Sequence, residues 1–479
     1  MIKYLLLILS FFLLTCDSDV EGCTNIEAYN YNPNATTNNG SCLYCEDLEN
    51  EEDCAAQDIC EWHGHNNHGH CHEVDHNDED SSFVIVSLQD TDAVAIVGAT
   101  SLETQQQVSV NLNSTDCSQL LEEMDCLDAG CMWMEEHNHC MVHGGAINAP
   151  HDIAVDNTNG YWFTTAMSGG YVNMYSTETN ELLSSFDIGH MPALMDLDEV
   201  YQKIYVSRGM PNGMPMPIYE LSYESGVLVE VEQWDVQFDY AHGIHFDEIS
   251  GNVYVVSKTN DFIAKINPNE VQMPFPGDNP KIVTMDDSIN NNVDIEPRRL
   301  WPIEISGKYP YMFITCSGGD WIVNGELKEQ IPGQVQMWHM EDMNLLATYN
   351  FDAYSRPWHI EVSSTENKFF VSLSGGDEDS GSDAGVACIE YSVVGDQYSM
   401  SESWITTSPE YGTLHGITVH SDCCDGSSYV YSTGRTDGNI YKFDAQTGEE
   451  LGSFNLVPSG GIRTGGIDSF LPSCTSCND

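Results

Sequence analysis

Basic residues are scarce in this chain of 479 residues: Lys and Arg total 15, against 75 Asp and Glu. The formal charge of −60 would repel a phosphate backbone and anionic lipid headgroups, so the composition argues against nucleic-acid binding. Such an excess of acidic residues is typical of proteins that must stay soluble in a salty medium. Weak calcium binding by surface carboxylates is the alternative.

Apolar runs of transmembrane length are also lacking. The one long apolar run, residues 5–14, follows Met1 and Lys3 and has the length of a signal-peptide core. It ends in Leu13-Leu14-Thr15-Cys16, which resembles the lipobox of bacterial lipoproteins. The resemblance implies a signal peptide over 1–15, lipidation of Cys16, and a place at the outer membrane, the cell surface or in the periplasm. Ordinary cleavage that leaves Cys16 as a thiol is the alternative.

Familiar catalytic motifs are missing too. We find no serine-nucleophile elbow and no phosphate-cradling glycine loop in the right context. Whether the chain is an enzyme is therefore open from its sequence.

Cysteine is plentiful only before residue 141. The chain has 17 cysteines, and removing Cys16 leaves an even number, which suits an oxidising compartment. Two stretches have similar cysteine spacing, C-x8-C-x5-C-x10-C and C-x8-C-x4-C-x8-C, and both have a Trp two residues after the third Cys. We predict two disulfide-rich modules, 45–81 and 113–146, with open pairings among Cys45, Cys54, Cys60 and Cys71 and among Cys117, Cys126, Cys131 and Cys140.

A shorter cysteine segment occupies residues 16–44. It runs from Gly22-Cys23-Thr24 through Tyr29-Asn30-Tyr31-Asn32-Pro33 to Gly40-Ser41-Cys42. It resembles a repeat found in secreted proteins of marine Bacteroidetes. The resemblance implies a disulfide between Cys23 and Cys42.

The first module carries a run of imidazoles on a backbone rich in Gly and Asn. Such a tract can bind zinc, copper or nickel. A polar loop between two disulfide-bonded cysteines is the alternative. The candidate ligands are His63, His65, His68, His70, His72 and His76.

From residue 82 the pattern changes to short β-branched and aromatic runs separated by Gly, Asn and Asp. One unit recurs about every 40 to 55 residues, which matches a four-stranded propeller blade. Six first strands can be aligned. The segment 82–97 supplies later strands of a seventh blade, and 465–470 supplies its first strand. We therefore predict an all-β, seven-bladed β-propeller closed by shared strands.

The segments 92–97 and 438–448 resemble the YVTN-type seven-bladed propellers, a family of binding proteins, lactonases and metal-dependent enzymes. The predicted organisation is blade 1 over 82–112, the inserted module over 113–146, blades 2–7 with the closing strand over 147–472, and a cysteine-containing tail over 473–479.

Aligning the first strands on a closing Asp or Ser predicts a ring of equivalent positions at one channel mouth. Three of them, His151, His242 and His415, are predicted to converge, and could form an open copper or zinc site. His190, His245 and His359 are candidate supporting residues. Imidazoles that satisfy buried backbone groups are the alternative. The full ring is His151, Ala193, His242, Trp301, Trp358, His415 and Arg463.

Three hypotheses follow. The leading one is an exported lipoprotein whose propeller binds a small ligand or protein partner at the channel mouth. The second is a metalloenzyme that uses the three histidines. The third is a metal-handling protein that acts through the His-rich module.

Overall fold

The computed structural model describes the following residues: 21–23, 35–38, 41–42, 60–65, 68–73, 82–110, 132–134, 139–141, 148–189, 191–209, 217–269, 281–285, 299–376, 382–421, 427–457 and 463–471. The chain divides into two compact units, residues 1–80 and 81–479. No helix within the described ranges is long and apolar enough to cross a membrane.

The first unit contains two small strand pairs. Strands β1 (Glu21–Gly22) and β2 (Thr37–Asn38) pair in parallel, beside a disulfide between Cys23 and Cys42. The predicted pairing of these two cysteines is confirmed. Strands β3 (Cys60–His65) and β4 (His68–Glu73) form an antiparallel hairpin.

The second unit is a seven-bladed β-propeller, as predicted. Each blade is a four-stranded antiparallel sheet, with strands named in chain order. Blade 1 contains β36 (Thr464–Phe470), β5 (Phe83–Leu88), β6 (Ala93–Gly98) and β7 (Thr104–Ser109). Blade 2 contains β10 (Pro150–Asp156), β11 (Tyr161–Ala166), β12 (Tyr171–Ser176) and β13 (Leu182–Asp187). Blade 3 contains β14 (Pro192–Asp198), β15 (Lys203–Arg208), β16 (Ile218–Ser222) and β17 (Val229–Trp234). Blade 4 contains β18 (Ala241–Asp247), β19 (Asn252–Ser257), β20 (Phe262–Ile266) and β21 (Lys281–Thr284).

The remaining blades follow the same order, with one added hairpin. Blade 5 contains β22 (Pro302–Lys308), β23 (Tyr311–Cys316), β26 (Gln334–His339) and β27 (Asn344–Asn350), and carries the hairpin β24 (Gly319–Val323) and β25 (Glu326–Ile331). Blade 6 contains β28 (Pro357–Val362), β29 (Lys368–Leu373), β30 (Ala384–Val394) and β31 (Gln397–Ser408). Blade 7 contains β32 (Leu414–Ser421), β33 (Ser428–Gly434), β34 (Asn439–Asp444) and β35 (Glu450–Asn455). One 3-10 turn, Gln89–Thr91, follows β5.

The ring closes through blade 1, whose first strand comes from the C-terminal end of the chain. Strand β36 pairs with β5 in the register Phe470↔Phe83, and the two rings stack with centroids 5.0 Å apart. The predicted closing strand is thus confirmed. Closure pairs the last strand of the ring with β5, so β5 is an interior strand of blade 1 and not an open edge.

The two cysteine modules share a backbone feature. In the second module, β8 (Met132–Met134) pairs with β9 (His139–Met141) so that Trp133 lies opposite Cys140. In the first module Trp62 lies opposite Cys71 in the same way. Both copies therefore place the Trp across from the fourth cysteine of the repeat.

Hydrophobic cores lie between adjacent blades. One cluster combines Tyr205 of blade 3 with Ile244 and Val255 of blade 4, all buried. Another combines Phe313 of blade 5 with Phe369 of blade 6, whose rings lie 4.7 Å apart. Strand alternation puts apolar side chains on both faces of each blade, because each face packs on a neighbouring sheet.

A buried hydroxyl joins each blade to the next at six of the seven junctions. At each of these six junctions, a Ser or Thr near the end of one blade's second strand donates to a backbone carbonyl of the next blade, that of the second residue in its first strand. The six pairs are Ser87 to His151, Thr165 to Ala193, Ser207 to His242, Thr315 to Trp358, Ser372 to His415, and Thr433 to Gly465.

The seventh junction uses a different donor. Val256 occupies the hydroxyl position in blade 4, and the Nδ1–H of His242 donates to the carbonyl of Ile303 at 2.7 Å. An imidazole therefore replaces the missing hydroxyl, which gives His242 a structural role.

Candidate functional site

A cavity of about 750 Å³ opens at the mouth where the first strands begin, and we call it the entry cavity. Its lining comes mainly from three recurring positions: the residue before a blade's first strand, the second residue of that strand, and the residue after the second strand. Among the described residues, none of blade 5 lines it. The lining includes Gln89, Ala149, His151, Met167, Met191, Ala193, Gly209, Tyr240, His242, Lys258, Arg356, Trp358, Ser374, Thr413, His415, Arg435 and Arg463.

The three predicted histidines come together at this cavity. The ring centroid of His151 lies 6.3 Å from that of His242 and 5.8 Å from that of His415. The residues belong to blades 2, 4 and 7. Each occupies the same strand position, and a register shift after the first residue of every first strand re-aims the side chains there.

Two residues of the predicted ring, Trp301 and Arg463, do not occupy the strand position of His151. Pro302 pairs with Cys316 as Pro150 pairs with Ala166, so Ile303, not Trp301, is equivalent to His151. Likewise Gly465, not Arg463, takes that position in blade 1. The alignment was wrong because these strands continue two residues past Ser306 and Asp468, which the sequence pattern had suggested as strand ends.

The imidazoles have different partners. His151 Nδ1 lies 2.5 Å from Gln89 Nε2, and His242 Nδ1 bonds the carbonyl of Ile303. Nδ1 of His415 is buried and has no hydrogen-bond partner among the described residues. His242 is thus held by the fold, whereas no described residue holds Nδ1 of His415.

Burial lowers the pKa of all three imidazoles well below the usual value, and nearby cations such as Lys258 and Arg435 lower it further. The three side chains are only 3 to 6 % exposed. They are therefore neutral at neutral pH and can both donate and accept hydrogen bonds.

The charged residues that the structure places around the entry cavity are basic. Four of the 15 basic residues in the chain line it: Lys258, Arg356, Arg435 and Arg463. Among the described residues, none of those lining the cavity is Asp or Glu, although the chain has 75 of them. A basic cavity in so acidic a protein concentrates positive potential at one place, which attracts anions.

Lys258 is held between two aromatic rings. Its Nζ lies 4.6 Å from the ring centroid of Trp358 and 5.7 Å from that of Tyr240. Burial, and then the charge of Arg435, lower the pKa of Lys258 to about 8. Cation–π contacts stabilise the ammonium by about 1 kcal/mol. The lowered pKa corresponds to a destabilisation of the ammonium by roughly 3 kcal/mol, which is the larger effect.

Two donors on residues that line the cavity are buried and have no partner among the described residues. They are Nη1 of Arg435 and Nε1 of Trp358. A buried donor without an acceptor costs about 1 to 3 kcal/mol, so an acceptor that reaches both would be stabilised there. Arg463 is different, because its guanidinium forms an exposed ion pair with Asp90 at 2.6 Å.

The other end of the first strands is acidic. There Asp152, Glu304 and Asp468 each accept a hydrogen bond from a backbone N–H of the next blade. Burial raises the pKa of Asp468 to about 7 and that of Glu361 well above its usual range. The channel therefore runs from a basic mouth to an acidic one.

His245 and His359 lie at this acidic end. Their Nδ1 atoms each lie 2.9 Å from a carboxylate, that of Asp196 for His245 and that of Glu304 for His359. The ring of His359 also contacts that of His415, with centroids 4.6 Å apart. His190 lies outside the described residues.

Within the described ranges, no group of three or more His, Cys, Asp or Glu side chains is arranged to hold a metal ion. Copper, zinc and calcium binding stay predictions. For the His-rich tract the structure describes only the backbone of His63, His65, His68, His70 and His72, while His76 lies outside the described residues.

Several predicted cysteine roles also lie outside the described residues. They concern Cys16 and the disulfides of Cys45, Cys54, Cys117, Cys126 and Cys131. For Cys60, Cys71 and Cys140 the structure describes the backbone alone. Two cysteines of the propeller, Cys316 and Cys388, are buried free thiols.

Sequence reasoning placed Arg463 at the channel mouth but missed the other three basic residues of the cavity. Lys258 and Arg435 each directly follow a second strand, and Arg356 directly precedes a first strand. A signal was present, because basic residues are rare and three of them recur at strand ends that the blade alignment places at one mouth.

No family model matches the chain, and no curated protein matches it. Solved structures resemble it at low identity. One is a functionally unknown protein from Desulfotomaculum acetoxidans, 12% identical with a TM-score of 0.55, over 82% of this chain and 100% of that one. Another is a candidate 6-phosphogluconolactonase from Bacteroides fragilis, 10% identical with a TM-score of 0.52, over 82% of this chain and 99% of that one. The likeness shows the propeller fold alone.

Proposed function

We propose that the propeller binds a small organic anion, bearing a carboxylate or phosphate group, in the entry cavity. One observation carries the proposal: four of the chain's 15 basic residues line this cavity, and none of its lining residues in the described part of the chain is acidic. Coulomb attraction in a partly buried site exceeds that at an exposed surface, so the cavity favours anions over metal cations.

The hydrogen-bonding groups support an anion as the ligand. Arg435 Nη1 and Trp358 Nε1 are buried donors on lining residues, without partners among the described residues, and a carboxylate or phosphate oxygen that reaches either one accepts a hydrogen bond from it. The planar guanidinium of Arg435 can hold two oxygens at once. The rings of Tyr240 and Trp358 supply apolar walls for the rest of the ligand.

Calorimetry with inorganic phosphate, pyruvate and acetone tests the proposal on the full chain. We expect the two anions to bind and acetone not to bind. Arg435→Gln should weaken anion binding about 10- to 100-fold, since hydrogen bonds to charged groups contribute about 1.5 to 3 kcal/mol.

Lys328→Gln is the matched control, because it removes one positive charge from the hairpin of blade 5, where Lys328 pairs with Glu326 outside the cavity. It should leave anion binding unchanged. Equal binding by Arg435→Gln and the wild type, or no anion binding by the wild type, would contradict the proposal.

We also propose that the chain is exported and anchored through Cys16. The apolar run at residues 5–14 and the lipobox-like sequence support this, and the disulfide between Cys23 and Cys42 suits an oxidising compartment. Expression with a labelled fatty acid is expected to label the wild type but not Cys16→Ser. Equal labelling of both would exclude anchoring at this residue.

A further inference from the structure

Lys258 differs from most other lysines of the propeller in its surroundings. Lys203, Lys265, Lys328 and Lys368 each form an ion pair with a carboxylate. Among the described residues no carboxylate forms an ion pair with Lys258, and its recorded contacts are with two aromatic rings. Neither ring forms an ion pair with the amine, and Lys258 lines the entry cavity.

The local charges favour the uncharged amine. Burial and the neighbouring guanidinium of Arg435 lower the pKa of Lys258 to about 8. At pH 7.5 roughly a quarter of the molecules would then carry the free amine, against about 0.1% for a solvent-exposed lysine. A desolvated lysine beside another cation is a known way to activate an amine as a nucleophile.

Neutral proton carriers surround the same cavity. The imidazoles of His151, His242 and His415 line it, and their lowered pKa keeps them neutral. Tyr240 contacts both Lys258 and His242, with the Tyr240 and His242 ring centroids 6.0 Å apart. Such groups can take a proton from an attacking amine and return one to a leaving hydroxyl.

We propose that Lys258 captures the carbonyl carbon of an anionic oxo compound, such as an α-keto acid, as an imine. The inference rests on the proposed anion binding, in which Arg435 holds the carboxylate beside the amine. The Lys258 nitrogen forms a bond to the carbonyl carbon, and a neighbouring group takes the proton that nitrogen loses. The carbonyl oxygen takes up that proton and a second one from solvent and leaves as water, which yields the iminium. No oxidant or reductant is consumed.

Reductive trapping tests the proposal on the full chain. Pyruvate and sodium cyanoborohydride are added, and modified lysines are located by peptide mass spectrometry. We expect one carboxyethyl group on Lys258, formed at least tenfold faster than modification of any other lysine. Acetone, a neutral ketone of similar size, should react at least tenfold more slowly at Lys258. The trapping rate should rise through pH 8, whereas exposed lysines become reactive nearer pH 10.

Two variants complete the test. Lys258→Arg keeps the charge and should abolish the fast trapping, whereas Lys328→Arg should retain it. Modification spread over lysines according to their exposure, or fast trapping that persists at another lysine in Lys258→Arg, would overturn the proposal.

The imine and the anion site can fail separately. Pyruvate that binds in calorimetry but is not trapped at Lys258 would overturn the imine and leave the anion site standing. Trapping at Lys258 that is equally fast with acetone would retain the nucleophile and overturn its preference for anions. Absence of both binding and trapping would overturn both proposals.

Discussion

The junction between blades 4 and 5 allows the inter-blade hydrogen bond to be moved from one side chain to another. Six junctions use a hydroxyl from the second strand, and this one uses His242, which donates to the carbonyl of Ile303. Val256 takes the hydroxyl position: its Cγ2 lies beside Gly243 as Thr433 Oγ1 lies beside Gly416. A threonine at 256 would therefore place a donor where the other blades have one.

His242→Phe removes the donor and keeps an aromatic ring. The buried carbonyl of Ile303 then loses this partner, which we expect to lower the free energy of unfolding by about 1 to 3 kcal/mol. Val256→Thr alone should change it by less than about 0.5 kcal/mol, since His242 already donates to that carbonyl. In the His242→Phe background, Val256→Thr should recover about 1 kcal/mol, a coupling typical of groups that share a partner.

Urea unfolding followed by tryptophan fluorescence measures all four proteins, with midpoints compared at constant slope. Thr315→Val is the matched control at the next junction, where no imidazole replaces the hydroxyl, and it should cost about 1 to 2 kcal/mol. If Val256→Thr has the same effect on the free energy of unfolding in the His242→Phe variant as in the wild type, then His242 does not take the place of the inter-blade hydroxyl.

Three further predictions concern other parts of the molecule. Burial raises the pKa of Asp468 to about 7, so between about pH 4 and 7 the folded state holds a proton that the unfolded state releases, and the free energy of unfolding should fall as the pH rises through that range. Asp468→Asn should make the free energy of unfolding, measured by urea titration, depend less on pH. An unchanged pH dependence would exclude Asp468 as its source. Phe470→Ala removes the stacking on Phe83 and should lower the free energy of unfolding by about 1 to 2 kcal/mol. It should also increase the rate of amide hydrogen exchange in β5. Unchanged exchange would mean that the closing strand does not depend on this stacking. Any zinc or copper found by metal analysis should be lost on deleting residues 61–76, and metal retained after that deletion would place it elsewhere in the chain.

Strand periodicity alone predicted most of the architecture. Alternating apolar strands, recurring turns and an orphan strand near each end of the repeat region permit few arrangements other than a closed ring. The convergence of His151, His242 and His415 followed from the same logic, because equivalent positions on equivalent strands face the same channel.

The tertiary structure decided the details that depend on register and on inter-blade contacts. Every first strand has a register shift after its first residue, and two of these strands run past their predicted ends. Ile303 and Gly465, not Trp301 and Arg463, are therefore equivalent to His151. A period of two carries no information about where a bulge falls, so a sequence alignment cannot place such residues.

The sequence by itself determined that basic residues are rare and that blades repeat. Only the folded ring brings Lys258, Arg356 and Arg435, from blades 4, 6 and 7, to one cavity, whose described lining residues include no carboxylate. The physical reason is that charge acts through space: residues about 80 to 180 positions apart share one potential only after the strands that carry them are arranged around a common axis.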